Sequence, residues 1–303
     1  MNRHIVFLLN PISGRGKRAI LEPQIRRYAR DKGVSYSIQD TTADGRYPDL
    51  EQEIQRGRVT DVVVAGGDGS ISAVTAALRH TGVRFGILPR GSGNGLAYAA
   101  GIPISLEAAL EVVFTGHAEA VDGMEINGRF SCMLSGIGFD AEVAHAFARE
   151  KTRGFWTYAR LSLNHFFTAV PYPFRLRLPQ NTWNTEAYFI SLANANQFGN
   201  QFTIAPKARL NDGLLDVVIV QKMRKWQILL AIIHQVRFGD VKESLFREKS
   251  IAYFQTDSLV IENPRLAPLH IDGDPAETFE CLQVRVIPAA FQLLLPGPAR
   301  PLL

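Results

Sequence analysis

The feature that most constrains this chain is an apolar run that stops abruptly in a glycine-rich turn. Residues Val62 to Ala65 are apolar, the sequence Gly66-Gly67-Asp68-Gly69-Ser70 follows, and a helix-forming segment then continues to Leu78. This order predicts a buried strand, a tight turn and a helix. Glycines let backbone N–H groups approach a ligand closely, and the start of a helix attracts negative charge. The turn is therefore predicted to bind phosphate, although a purely structural turn fits the same residues.

The aspartate within this turn predicts a metal ion as well. A carboxylate is repelled by a phosphate unless a cation lies between them. Mg²⁺ is a hard cation that binds oxygen and is usually shared with phosphate groups. Asp68 therefore indicates a nucleoside triphosphate that is bound together with Mg²⁺.

Two other polar turns follow predicted strands. Asn10-Pro11-Ile12-Ser13-Gly14-Arg15-Gly16 follows the strand Ile5 to Leu9, and Arg90-Gly91-Ser92-Gly93-Asn94 follows the strand Arg84 to Leu88. The hydroxyl and amide side chains of the later turn can hydrogen-bond a phosphate or a ribose, and its arginine can supply positive charge. Loops that follow parallel strands lie along one edge of the sheet, where ligands bind.

The first of these turns also fits a different ligand. Gly14, Gly16 and Ala19 match the glycine fingerprint of a dinucleotide-binding fold, with Asp40 at the end of the second strand as its acidic residue. That fingerprint turns directly after its strand, whereas four residues separate the strand from Gly14 here. Basic residues also surround these glycines, which weakens the dinucleotide fingerprint, and an ordinary loop fits the segment about as well.

The order of strand and helix patterns predicts two domains. Strands and helices alternate over residues 1–120, which predicts an α/β domain with a parallel sheet, and strands dominate residues 121–287, which predicts a mainly antiparallel β domain. The predicted strands of the second part are Ala118 to Ile126, Phe130 to Leu134, Phe174 to Leu178, Ala187 to Ala193, Leu215 to Val220, Ile251 to Gln255, Ser258 to Ile261 and Cys281 to Ile287. Helices are predicted at Ala141 to Arg149, Thr157 to Val170 and Lys225 to Phe238.

Composition excludes several classes of protein. Hydrophobic residues make up 46% of the chain and charged residues 20%, as in ordinary globular proteins. A net charge of +4 does not indicate a nucleic-acid partner. Cys132 and Cys281 lack a C-x-x-C partner, so neither a disulfide framework nor a zinc site is expected. No apolar run reaches the ~20 residues of a membrane span, and a cytoplasmic protein, or one peripheral at the inner membrane face, is expected.

A further polar turn lies far downstream, in the sequence His270-Ile271-Asp272-Gly273-Asp274. A carboxylate on a tight turn after a strand is a usual position for a catalytic base. A solvent-exposed Asp-Gly hairpin turn fits this segment equally well.

Together these turns resemble the catalytic domain of the diacylglycerol kinase family, which includes bacterial lipid kinases and sphingosine and ceramide kinases. The resemblance covers nearly the whole chain. The turn at 66–70 is shared with NAD kinases and phosphofructokinases, so the full set of motifs carries the resemblance. Besides the turns already described, the matching segments are Thr41, Val121-Asp122, Gly136-Ile137-Gly138-Phe139-Asp140-Ala141 and Asn211-Asp212-Gly213-Leu214-Leu215-Asp216.

The resemblance implies a phosphofructokinase/NAD kinase-like α/β domain, a β-rich substrate domain, and ATP in the cleft between them. Residues 288–303 would return to the first domain. Asp68 would act through Mg²⁺, and a loop would hold a structural Mg²⁺ through the Asp212 carboxylate and the backbone carbonyls of Arg209 and Leu214. The residues predicted to surround ATP are Asn10, Pro11, Ile12, Ser13, Gly14, Thr41, Gly66, Gly67, Asp68, Gly69, Ser70, Ile71, Ser72, Ser92 and Asn94.

The implied reaction is ATP-dependent phosphorylation of a lipid hydroxyl, with diacylglycerol or a sphingoid-type lipid as the acceptor. Asp274 would be the catalytic base, and Asp68 would contribute through the metal. This chain has Asp272-Gly273-Asp274 where the family has Asp-Gly-Glu, and aspartate is shorter, so Glu277 is an alternative base. Gly95 stands where bacterial diacylglycerol kinases have aspartate, as in the sphingosine kinase branch.

Other functions remain open at this point. An NAD kinase-like enzyme shares the turn at 66–70, and an oxidoreductase would use the dinucleotide fingerprint. A catalytically silent lipid-binding or regulatory protein on the same fold is a third possibility, because Asp274 replaces the glutamate of the family's Asp-Gly-Glu motif. A homodimer and a monomer are both compatible with the sequence.

A predicted helix in the second part combines aromatic and basic residues. Phe155, Trp156, Tyr158, Phe166 and Phe167 lie along it, and several arginines and lysines are close in sequence. This combination is typical of a helix that lies in a membrane interface. A core-packed helix with a solvated basic flank fits the same residues.

Overall fold

The computed structural model describes residues 3–11, 18–150, 155–197, 203–222 and 251–297. The chain divides into two compact units, Met1–Val121 with Ala289–Leu303 and Asp122–Pro288. The first unit is α/β and the second is mostly antiparallel β, so the predicted fold class is confirmed. The predicted helix Lys225 to Phe238 lies outside the described residues.

The first unit contains a parallel sheet in the order β2-β1-β3-β4. Residues Gln292 and Leu293 of the last strand, β15, add to this sheet by pairing in parallel with β4. Its elements are β1 (His4–Leu9), α1 (Arg18–Lys32), β2 (Ser35–Asp40), α2 (Pro48–Gln55), β3 (Asp61–Gly66), α3 (Asp68–Leu78), a 3₁₀ turn (Arg79–Thr81), β4 (Arg84–Pro89), α4 (Gly95–Ala99) and α5 (Leu106–Thr115).

Burial explains why these strands form the centre of the unit. All six residues of β3 are buried, and its neighbour β1 is buried from Ile5 to Leu9. A strand that is covered on both faces has a continuously apolar sequence. The apolar side chains of α1 and α5 pack on the same core, and Ser105 caps α5 by accepting a hydrogen bond from Ala108 N–H.

The second unit is built on antiparallel pairs around the long strand β9. The first half of β9 pairs with β8, and its second half lies between β7 and β10. The elements from the junction onward are β5 (His117–Ile126), β6 (Arg129–Ser131), β7 (Leu134–Gly138), α6 (Phe139–Arg149), α7 (Phe155–Thr168), β8 (Tyr172–Leu178), β9 (Asn181–Ala193), β10 (Leu215–Gln221), β11 (Ile251–Thr256), β12 (Ser258–Glu262), β13 (Leu269–Ile271), β14 (Asp274–Ala276) and β15 (Cys281–Leu295).

One predicted strand is wrong. The segment Phe130 to Leu134 is divided between β6 and β7. The chain leaves the strand because the backbone N–H groups of Cys132, Met133 and Leu134 turn toward the carboxylate of Asp272. A long-range contact therefore overrides the local strand propensity.

Candidate functional site

The glycine turns after β3 and β4 touch each other through their main chains. A Cβ atom built on Gly91 would lie 2.6 Å from the Cα atom of Gly67, and one built on Gly67 would lie 3.0 Å from the Cα atom of Gly91. The N–H group of Arg90 donates to the carbonyl of Gly66 at 2.9 Å. These glycines are therefore required for the packing of the two turns.

Asn94 shapes the second of these turns. It adopts a left-handed conformation with φ 54°, and its side chain is buried. Its Oδ1 atom accepts from Gly91 N–H at 2.9 Å, and its Nδ2 atom donates to the carbonyl of Gly91 at 3.0 Å. The left-handed residue is the N-cap of α4, which therefore begins at Gly95.

The turn after β1 joins the turn after β3. Asn10 Nδ2 donates to the hydroxyl of Ser70 at 2.7 Å, and Asn10 N–H donates to the carbonyl of Ala65 at 3.1 Å. Thr41 N–H donates to the carbonyl of Leu9 at 2.9 Å, which holds the end of β2 beside the same strand ends. The structure therefore brings Asn10, Thr41 and Ser70 to one edge of the parallel sheet. The predicted ligands Ile12, Ser13 and Gly14 lie outside the described residues.

Asp68 is the first residue of α3, and Gly67 is its N-cap with an extended backbone. The positive end of the helix lies at this point, so the carboxylate and a nearby anion both experience a favourable field. Ile71 is buried in the core, whereas Asp68 and Ser72 are half-buried, Gly69 is exposed, and Ser92 of the neighbouring turn is exposed.

Arg90 carries positive charge at the same edge. Its Nε atom is buried and has no hydrogen-bond partner among the described residues. Burial lowers the pKa of Arg90, and the charge of Glu107 opposes this shift. A buried guanidinium nitrogen that lacks an acceptor suits an anionic ligand, since charge-assisted bonds to phosphate are strong.

The loop predicted to hold a structural metal is fastened by Asp122. The Oδ2 atom of Asp122 accepts from Gly213 N–H at 2.7 Å, and its own N–H donates to the carbonyl of Leu210 at 2.7 Å. Within the loop, Asp212 Oδ1 accepts from Leu214 N–H at 3.1 Å. Arg209 and Asp212 are both exposed residues.

A second buried carboxylate follows this loop. Asp216 accepts from the hydroxyl of Tyr253 and from the side-chain amide of Gln255. Burial raises the pKa of Asp216, and these two hydrogen bonds act in the opposite direction. The Tyr253 hydroxyl also accepts from Lys207 N–H at 3.3 Å, so Asp216 supports the chain that enters the loop.

The two aspartates of the downstream turn have different environments. Asp272 and Gly273 form the two-residue turn between β13 and β14, with φ of 50° and 86°. Asp272 is buried and accepts from the Ser131 hydroxyl at 2.6 Å and from the N–H groups of Cys132, Met133 and Leu134. Asp274 begins β14 and is exposed. The predicted Asp-Gly hairpin turn is therefore present, and the carboxylate predicted as a candidate base, Asp274, lies at its end.

The buried pair Asp140 and His270 was missed by sequence reasoning. Asp140 lies in the first turn of α6, and His270 lies in β13, with 3.3 Å between Asp140 Oδ2 and His270 Nε2. Both residues belong to motifs that had been singled out, but their contact joins positions 130 residues apart in the chain. No local pattern reports such a contact.

Family models match both parts of the chain. The diacylglycerol kinase catalytic domain matches residues 4–126, and the YegS C-terminal NAD kinase beta sandwich-like domain matches residues 134–295. The chain belongs to the diacylglycerol kinase family of YegS-like lipid kinases. The resemblance derived from the turns is thereby confirmed.

Individual relatives support this lipid kinase family. A "Probable lipid kinase YegS-like" of Chromohalobacter salexigens is 27% identical over 290 residues, which cover 93% of this chain and 91% of that protein. The protein of the same name in Pseudomonas aeruginosa is 29% identical and covers 88% and 87%. The crystal structure of a diacylglycerol kinase from Bacillus anthracis str. Sterne has a TM-score of 0.75 and 18% identity, with 97% of both chains covered, which shows the shared fold.

Proposed function

We propose that this lipid kinase transfers the γ-phosphate of ATP to the hydroxyl of a diacylglycerol or sphingoid-type lipid. The observation that carries the proposal is the pair of glycine turns in main-chain contact at the ends of β3 and β4, with Asp68 at the start of α3. Phosphoryl transfer depends on positioning and on neutralisation of charge more than on covalent chemistry. Backbone N–H groups, a helix start and a carboxylate that can share a cation supply those needs.

The residues of the first unit would hold the nucleotide. The start of α3 and the glycine turns would face the phosphates, since N–H groups and the helix field favour an anion there. Asn10, Thr41 and Ser70 lie at the same edge and would fix the register of ATP. The Arg90 guanidinium would supply positive charge toward the phosphates.

The donor atoms of the chain fit Mg²⁺. Among the described residues, no three acidic, histidine or cysteine side chains converge on one point. Mg²⁺ is commonly held by one or two carboxylates together with phosphate and water oxygens. Asp68 would provide the carboxylate beside ATP, and Asp212 with the carbonyls of Arg209 and Leu214 would provide a second oxygen set. When bound, the ion would neutralise charge on the phosphates.

Asp274 would accept the proton of the lipid hydroxyl. Asp272 is unsuited to this role because its oxygens already accept from buried donors. Asp274, two residues later, is exposed, so its carboxylate is accessible to a substrate. Glu277, also exposed, is the alternative base.

The test measures transfer of labelled γ-phosphate from ATP to diacylglycerol, monoacylglycerol, a sphingoid base and ceramide. We expect one lipid class to be phosphorylated, and Asp68→Asn and Asp274→Asn to lower its turnover about 100-fold or more. Glu277→Gln is the matched control and should retain activity. Full activity of Asp274→Asn with loss in Glu277→Gln would move the base to Glu277. ATP binding without transfer to any lipid would indicate a catalytically silent member of the family.

We further propose that α7 brings the enzyme to a membrane surface. Its exposed apolar residues include Trp156 at 83% and Phe167 at 63% exposure, while Leu161 and Phe166 are buried. The exposed Arg149 and Arg160 lie on α6 and α7 and suit anionic lipid headgroups. Among the described residues, no helix is long and apolar enough to span a membrane.

Sedimentation with anionic vesicles tests this surface. Trp156→Ser and Phe167→Ser are expected to reduce the bound fraction, because aromatic side chains contribute much of the interfacial affinity. Ile20→Ser is the matched control, since Ile20 is 58% exposed on α1 of the other unit. Equal binding of the α7 variants and the wild type would reject the proposed surface.

A further inference from the structure

His270 contacts the downstream turn and α6 through its two ring nitrogens. The residue is 2% exposed and pairs with Gly136 across β13 and β7. Its Nδ1 atom accepts from Gly273 N–H at 3.2 Å, and its Nε2 atom lies 3.3 Å from Asp140 Oδ2. A backbone N–H group can only donate, so Nδ1 carries no proton in this geometry. The ring proton is therefore on Nε2, which donates to Asp140.

The space around this pair is closely fitted. A Cβ atom on Gly136 would lie 1.8 Å from Asp140 Oδ2 and 2.7 Å from His270 Nε2. Only glycine at position 136 leaves room for the two side chains to meet. Asp140 is itself anchored, because its Oδ1 atom accepts from Ala141 N–H at 2.9 Å in the first turn of α6. The carboxylate thus fixes the orientation of the imidazole.

The turn is consequently held from two sides. Asp272 is bound by the segment 131–134, and Gly273 is bound by His270. Asp274 is the next residue, and its side chain is exposed. The hydrogen bond from Gly273 N–H to His270 fixes the peptide between Asp272 and Gly273. This peptide lies just before Asp274, so the bond limits where the Asp274 carboxylate can point.

We propose that His270, oriented by Asp140, is a positioning residue that sets the direction of the Asp274 carboxylate toward the lipid hydroxyl. This inference rests on the proposed function, in which Asp274 is the base. Small displacements of a reacting group lower rates strongly, because the aligned geometry is lost. His270 therefore acts on turnover rather than on the binding of ATP.

Two substitutions separate the two bonds of the imidazole. In His270→Asn the side-chain oxygen can occupy the position of Nδ1 and accept from Gly273, but nothing reaches Asp140. In His270→Gln the side-chain amide reaches toward Asp140, but no acceptor remains near Gly273. We expect His270→Gln to lower kcat about 10-fold or more with the KM for ATP unchanged, and His270→Asn to retain more of the kcat.

His145→Gln is the matched control. His145 also joins α6 to β13, through Nε2 and the carbonyl of Leu269 at 2.8 Å, but it makes no bond to the turn. We expect its kcat to stay near that of the wild type. Equal losses of kcat in His270→Gln and His145→Gln would overturn the proposal, since general packing would then explain both.

A second measurement covers the case in which His270→Gln does not fold. Hydrogen exchange at the Gly273 amide should be slow in the wild type and remain slow in His270→Asn. Fast exchange in the folded wild type would overturn the proposal. Failure of the proposed function is distinguishable, because the wild type would then phosphorylate no lipid or Asp274→Asn would keep full activity. Loss in Asp274→Asn with unchanged kcat in His270→Gln would reject only the role of His270.

Discussion

The glycine turns of the first unit and the hairpin turn of the second unit are held in place by opposite means. At Gly67 and Gly91 two main chains touch, and an added Cβ would collide with backbone. At Gly273 there is open space around the Cβ position, but φ is 86°. There the neighbouring Asp272 supplies the contact, through a buried carboxylate that gathers donors from residues 131–134.

This difference shows that a glycine-aspartate motif has no single physical meaning. In the first unit the glycines allow close packing, and the aspartate is the first residue of a helix. In the second unit the glycine allows a left-handed backbone, the first aspartate is structural, and the second is exposed. Substitutions at matched positions should therefore affect stability and activity in different proportions.

The largest expected effect on stability distinguishes the two aspartates of the hairpin turn. Asp272→Asn places an amide among buried donors, which leaves hydrogen bonds unmade and should lower the free energy of unfolding by about 3 kcal/mol. Asp274→Asn changes an exposed residue and should stay within about 0.5 kcal/mol of the wild type. Chemical denaturation of both variants measures this difference. Similar stability of the two variants would contradict the structural role that we assign to Asp272.

A smaller effect compares the glycines of the two regions. Gly91→Ala forces backbone atoms apart and should cost about 2 kcal/mol. Gly273→Ala meets open space and incurs only the strain of a left-handed residue, about 1 kcal/mol. In thermal unfolding, Gly91→Ala should have a lower Tm than Gly273→Ala. The reverse order would mean that the contact between the two glycine turns relaxes easily.

The smallest expected effect concerns pH. Burial raises the folded-state pKa of Asp216 above its ordinary value of 3.8. The folded protein therefore binds the carboxyl proton of Asp216 more tightly than the unfolded chain does. The resulting stabilisation is full below the unfolded-state pKa and is lost as pH rises from there through the folded-state pKa. Asp216→Asn has no titratable carboxyl group at this position, so its stability lacks this dependence on pH.

Denaturation at a series of pH values tests this expectation. The stability of the wild type relative to Asp216→Asn should decline as pH increases from about 4. The glycine turns are held by uncharged contacts, so Gly91→Ala should keep a constant difference from the wild type over the same range. Parallel curves for the wild type and Asp216→Asn would show that the carboxylate does not titrate in this way.

Much of the first unit could be predicted from its sequence because its signals are local. The buried run of β3, the glycines that follow it and the cap at Ser105 each lie within a few residues. The helix α2 has a weaker local signal because it has only eight residues, although Pro48 stands at its start and Leu50 and Ile54 are apolar residues at helical spacing.

The remaining features depend on contacts between distant residues. The carboxylate of Asp272 binds residues about 140 positions earlier, and this contact divides the predicted strand at Phe130 to Leu134. The first half of β9 is polar and largely exposed, so its sequence carries little strand signal even though it pairs with β8 throughout. Sequence patterns singled out both aspartates of the hairpin turn, but they could not show that Asp272 is buried and hydrogen-bonded whereas Asp274 is exposed.

The contact between Gly67 and Gly91 has a consequence for engineering the nucleotide site that we propose at these turns. Neither turn can be exchanged for a bulkier loop from another kinase while its neighbour keeps its shape, because the two backbones already occupy adjoining space. Loop grafts intended to change the donor nucleotide should therefore transfer both turns from one parent as a unit.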